Sequence, residues 1–198
     1  MQLRSKFLLV APFLGALAIL GAQSPDAIAH KGAKGIVKER MDAMKSIGDN
    51  MKAIKKMLDG EQPFNAEKVK KAAGVIKNHA GTELTKLFPE GSMDKPTEAM
   101  PKIWEDWEDF QANAMRLQAY AEVLEMTAGN PQGAAEASGL GAAIKASDIT
   151  EDGWPTVAEL NQLPPQAVFM AMGKTCKSCH ESFRVKKDEG GHEGHKGH

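Results

Sequence analysis

Residues 37–58 read VKERMDAMKSIGDNMKAIKKML, and the spacing of their apolar side chains decides the fold. Val37, Met41, Met44, Ile47, Met51, Ile54 and Leu58 follow one another at intervals of 4, 3, 3, 4, 3 and 4 residues. A helix turns once in about 3.6 residues, so these side chains make one apolar stripe that must be covered by a partner. Gly60 stops the stripe and Pro63 follows. Working outward, Val69, Ala73, Ile76, Ala80, Leu84 and Leu87 repeat the spacing, with Asn65 placed as an N-cap. Residues 88–101 hold Pro89, Gly91, Pro96 and Pro101 and read as a loop. A third stripe runs through Trp104, Trp107, Phe110, Ala114, Leu117, Ala121 and Leu124 and ends at Gly129-Asn130-Pro131. Pro164-Pro165 opens a fourth helix that carries Val168, Met172, Cys176, Cys179 and Phe183 on one face and closes at Gly190-Gly191. No run alternates with the period of a strand. The expected fold is all-α, an antiparallel up-down four-helix bundle over residues 30–189.

The third connection, 129–163, is long for such a bundle. It is alanine-rich, is interrupted by Gly133, Gly139 and Gly141, and offers a short capping box at Thr156 to Glu159. The start of the chain has a different character. Arg4 and Lys6 precede an apolar stretch over 7–20, and Ala27-Ile28-Ala29 has the small-x-small form of a cleavage site. Residues 1–29 therefore read as a secretory signal peptide, and the expected destination is a bacterial periplasm. Its removal takes Arg4, Lys6 and Asp26 from 25 basic and 26 acidic residues, which leaves a net charge of −2. A charge balance this even argues against a nucleic-acid binder. No later window is long and apolar enough for a membrane span, so no membrane insertion of the mature chain is expected.

The chemistry sits at Cys176-Lys177-Ser178-Cys179-His180. Two thiols three apart, with an imidazole four beyond the first, project from one helical face. A porphyrin can be fixed there by two thioether bonds to its vinyl groups, with the neighbouring imidazole on the iron. Cys-x-x-Cys-His is the attachment signature of c-type haem. Three other readings remain open on residues alone. A thioredoxin-like pair uses the same spacing, but at a helix start in a βαβ setting. A zinc site needs further ligands at suitable spacing. A disulfide between the two cysteines would be strained within a helix and would leave His180 unexplained.

The stretch MGKTCKSCHESFRVKK on the last helix, with VKERMDAMKSIGDNMKAIKKML, LFPEGS and PKIWEDWEDF upstream, resembles the class II c-type cytochromes. That family comprises the cytochromes c′ and their low-spin c-556-type relatives. The resemblance covers roughly residues 34–128 and 164–187 and implies a left-handed four-helix bundle with one covalent haem c. It implies Cys176 and Cys179 as attachment points and His180 as an axial iron ligand. It also places Met44, which periodicity alone assigns to the core, at the distal haem face. A Met44 thioether on the iron gives a low-spin His/Met centre and an outer-sphere electron carrier. A Met44 that only packs leaves a five-coordinate iron able to bind NO or CO. Arg40 matches a position associated with a haem propionate, and Arg184, four after His180, a basic residue near the proximal pocket. The long connection and the tail depart from the family pattern.

The tail, 190–198, carries His192, His195 and His198 at intervals of three, a tract suited to a divalent metal. Trp104 and Trp107 are assigned to core packing, and His79 stands alone on the second helix. The expected function is a periplasmic mono-haem electron carrier, not an enzyme, serving redox protein partners and able to form a homodimer. The alternatives are a gas-binding five-coordinate haem protein and a metal-handling helical protein without haem.

Overall fold

The computed structural model describes residues 32–130 and 153–185. Residues 1–29, expected to be a signal peptide, most of the third connection and the histidine tail lie outside the described residues. Seven helices appear among those described: α1 Gly35–Leu58, α2 Ala66–His79, α3 Thr82–Thr85, α4 Lys102–Glu105, α5 Trp107–Thr127, α6 Val157–Leu160 and α7 Pro165–Phe183. The four long ones, α1, α2, α5 and α7, form the bundle. An isolated antiparallel bridge joins Ala99 and Arg184.

The apolar stripes become the core. Ile54, Ile76, Leu124, Val168 and Met172 lose essentially all exposure. Burying each such side chain is worth about 1.5–3 kcal/mol relative to leaving it in water. Asn65 caps α2 as its position predicts, its side-chain oxygen accepting from the Lys68 N–H at 2.9 Å. The Thr156–Glu159 capping box forms at the start of α6. Pro165 opens α7 at a position where a missing N–H costs nothing.

Three boundaries differ from the sequence reading. The second stripe breaks after α2, because Ala80 is extended and Gly81 takes a φ of 60°. There the Gly81 N–H leaves the helix and donates to the Ala114 carbonyl of α5 at 3.0 Å. The third stripe is also interrupted: Asp106 separates α4 from α5 with non-helical angles. Finally, α7 ends at Phe183 rather than at Gly190-Gly191. Arg184 turns to extended geometry, and the chain pairs with the loop before α4. The Met100 N–H donates to the Phe183 carbonyl at 3.0 Å and the Val185 N–H to the Glu98 carbonyl at 2.8 Å.

The bundle packs in a chain of neighbours: α1 on α2, α2 on α5, α5 on α7. The first and last of these helices, α1 and α7, barely touch. The gap between them is the candidate site.

Candidate functional site

A cavity of about 380 Å³ opens between α1 and α7. That is within the range of small-molecule and cofactor sites. From α1 it is lined by Arg40, Met41, Met44, Lys45, Gly48, Asp49 and Lys52. Helix α7 and its end supply Cys179, His180, Phe183 and Arg184. The remaining wall comes from Phe88, Thr97, Glu98, Ala99, Ile103 and Phe110. The α1 positions recur at helical spacing, so the seam that faces the cavity runs beside the seam that builds the core. Met44 belongs to both, because it is half-buried and packs against the main core and against a second cluster built from Leu84, Phe88, Ile103, Phe110, Ala114 and Phe183. The two cysteines divide between the same clusters, Cys176 on the first and Cys179 on the second.

Both cysteines are free thiols. Burial pushes the Cys176 thiol up, and burial with the neighbouring Cys176 pushes Cys179 up to about 12. They stay protonated at neutral pH, which makes them poor thiolate ligands and poor exchange nucleophiles. They also sit in the last turns of α7, not at a helix start. Both facts weigh against the thioredoxin-like reading. No group of three or more His, Cys, Asp or Glu among the described residues is arranged to hold a bare metal ion. The His180 imidazole is exposed toward the cavity, and its pKa lies below the usual 6.5, through desolvation first and Arg184 second, with Glu98 opposing. It is therefore neutral at physiological pH, the form in which imidazole ligates metals. Two protonated thiols and a neutral imidazole beside an apolar slot fit a covalently held porphyrin and its iron.

The two arginines behave differently from their spacing. Arg184 lies beyond the end of α7, not on its face. It lines the cavity all the same, with Nε donating to the Glu98 carboxylate at 2.7 Å. Arg40 lines the cavity too, but its five N–H groups are all engaged by loop oxygens. Nε and Nη2 donate to the Leu87 carbonyl at 3.1 and 2.9 Å. Nη1 donates to the Ser92 carbonyl and the Thr97 hydroxyl, each at 3.2 Å, and Nη2 to the Ser92 hydroxyl at 2.6 Å. No fork is left over for a propionate in this arrangement. Trp104 donates through Nε1 to the Phe88 carbonyl at 3.0 Å, and Trp107 stacks on Phe110 with centroids 5.6 Å apart. Neither lines the cavity, in keeping with core packing. His79 ends α2, away from the cavity lining. The tail imidazoles His192, His195 and His198 lie outside the described residues.

Periodicity missed the wall residues of the loop, Thr97, Glu98 and Ala99, because nothing in a loop sequence says which strand-like stretch will meet it. Phe110 and Phe183 were recognisable as apolar stripe positions, but not as walls of a cavity.

Comparison with known proteins gives a consistent picture. The model of the family described as cytochrome c′ matches residues 35–147. Cytochrome c-556 of Agrobacterium fabrum is 30% identical over 155 residues, spanning 78% of this chain and 84% of its own length. Cytochrome c′ of Pararhodospirillum photometricum is 30% identical over 149 residues, spanning 75% and 94%. Among solved structures, cytochrome c′ of Rhodopseudomonas palustris superposes with a TM-score of 0.55 at 28% identity, over 78% of this chain and 99% of that one.

Proposed function

The chain belongs to the cytochrome c′ family, whose members bind one covalent haem c, and from that premise we propose an exported periplasmic electron carrier whose iron is held between His180 and Met44. Bound in the cavity, the haem supplies a one-electron ferric–ferrous couple. Cys176 and Cys179 anchor it to α7 through thioethers, and the rigid helix presents His180 beside them. Met44 offers a soft thioether from α1, a donor that raises the reduction potential relative to harder ones and leaves no vacant position. Phe88, Ile103, Phe110 and Phe183 exclude water from the slot. The partner is a redox protein that docks at the cavity mouth.

One observation carries this reading. Met44 and His180 line the same cavity from α1 and α7, helices that otherwise barely meet. The purified ferric protein should be low-spin, with the near-infrared sulfur-to-iron charge-transfer band of Met ligation. Met44→Ala should turn it high-spin and let the reduced protein bind CO rapidly. A wild type that is already high-spin and binds CO would replace this function with the gas-binding one.

Two further features belong to the same proposal. No helix among the described residues is long and apolar enough to cross a membrane. Export rests on residues 1–29 and is tested by the N-terminus of the secreted protein, expected at His30. The imidazoles of His192, His195 and His198 form a proposed divalent-metal tail. Truncation at Gly190 should abolish Cu(II) or Ni(II) binding if that assignment holds. Whether the holoprotein pairs into a homodimer is read directly by sedimentation.

A further inference from the structure

We propose that Gly48 is a positioning residue of this site: its missing side chain leaves a flat stretch of α1 for the haem, and so lets Met44, one turn earlier, reach the iron. The inference rests on the haem occupying the cavity as set out above. Arg40, Met44, Gly48 and Lys52 follow one another at intervals of four on α1, and all of them line the cavity. Residues four apart stand one above another on a helix, so they form a single row down the cavity wall. Its other members carry long side chains, and Gly48 carries none. The row therefore dips directly beside Met44.

The packing of the chain itself gives no reason for glycine at 48. Gly48 lies well inside α1, half-buried, with helical backbone and no positive φ. A Cβ built there would meet no side chain, and no backbone beyond its own helix, within 4 Å among the described residues. Two other glycines do have such reasons. Gly81 takes a φ of 60°, and Gly74 of α2 faces the Glu125 carboxylate, whose Oε1 would lie 3.4 Å from an added Cβ. An interior glycine weakens a helix relative to alanine, so alanine would serve the chain better at 48. What glycine offers there is a close approach of backbone to a ligand. The opposite wall makes that approach matter. Cys176, Cys179 and His180 fix the haem from α7, so it cannot slide away from a side chain added at 48. Helix α1 must give instead, since it packs on α2 and barely on α7, and it carries Met44 with it.

The test compares Gly48→Ala, Gly48→Leu and Gly173→Ala in the full holoprotein, by thermal unfolding and by the sulfur-to-iron band. Gly173 on α7 has the same helical backbone and the same open surroundings, but it does not line the cavity. Alanine for glycine at a helical site with room raises stability. Gly173→Ala should therefore raise the midpoint by about 2 °C and leave the band unchanged. Gly48→Ala should lower the midpoint by about 2 °C and weaken the band severalfold, and Gly48→Leu should remove the band. In the full chain made without haem the sign should reverse, with Gly48→Ala raising far-ultraviolet helicity. A Gly48→Ala holoprotein that matches Gly173→Ala in midpoint and band overturns the proposal. So does lower helicity of the haem-free Gly48→Ala chain, which would make glycine a demand of the chain itself. If Gly48→Leu does not fold, Gly48→Ala against Gly173→Ala decides by the same criteria. A wild type that carries haem c without the band refutes Met44 ligation, and with it the claim that Gly48 serves Met44. A wild type without haem c by pyridine haemochrome refutes the function proposed above and this inference together.

Discussion

Single side chains set several measurable properties of this protein. Tyr120, the one tyrosine of the chain, is 3% exposed and donates its hydroxyl proton to the Pro155 carbonyl at 2.6 Å. Burial pushes its phenol from 10.0 up to about 12. The folded chain therefore keeps this proton where the unfolded chain loses it. Stability is whole below about pH 10 and falls as pH rises through about 12, by roughly 2–3 kcal/mol in all. Phenolate absorbance followed against pH, with denaturant unfolding at each step, should show ionisation and loss of stability together. Ionisation near pH 10 in the folded protein would contradict it. Ile54, with no exposure at all, should cost about 2–5 kcal/mol when cut to alanine, read as a lower denaturation midpoint. Cys176, Cys179 and His180 were legible in the sequence because their chemistry is local, three residues within two helical turns. Glu98 was not, since its meeting with Arg184 spans a loop and a helix end far apart in the chain.

Helices follow local chemistry except where a neighbour intrudes. Caps and stripes foretold α1, the start of α2 and the opening of α7, because Asn65, Pro165 and the apolar spacing act within a turn or two. The ends of α2 and α7 were not foretold, because distant partners decide them: the Ala114 carbonyl draws off Gly81, and the 98–100 backbone draws off 183–185. Gly81 shows the cost of such a break. Its φ of 60° with ψ of −135° is open to glycine and strained for other residues. An added Cβ would also lie 2.0 Å from Oε1 of Gln118, a flexible amide that can swing away. The backbone cannot, so Gly81→Ala should cost about 1–3 kcal/mol by thermal unfolding. Thr156→Ala removes a side-chain cap from α6 and should cost about 1 kcal/mol, with faster amide exchange confined to 157–161.

At the scale of the molecule, the bundle is three tight helix contacts and one gap. The gap could not be read from any stripe, because a stripe shows that a face is apolar and not whether a helix or a cofactor covers it. Helix α7 contributes Val168, Ala171 and Met172 to the main core as well as the cysteine–histidine site. A chain stopped after residue 163 should therefore lose both haem and its single cooperative unfolding transition, monitored by far-ultraviolet circular dichroism. The gap lies between the first and the last long helix, and that has a consequence for the order of biosynthesis. A chain emerging N-terminus first has one wall ready early and must wait for its final turns before any enclosure exists. The two thiols on α7 are made after the other three long helices, so covalent attachment follows their synthesis.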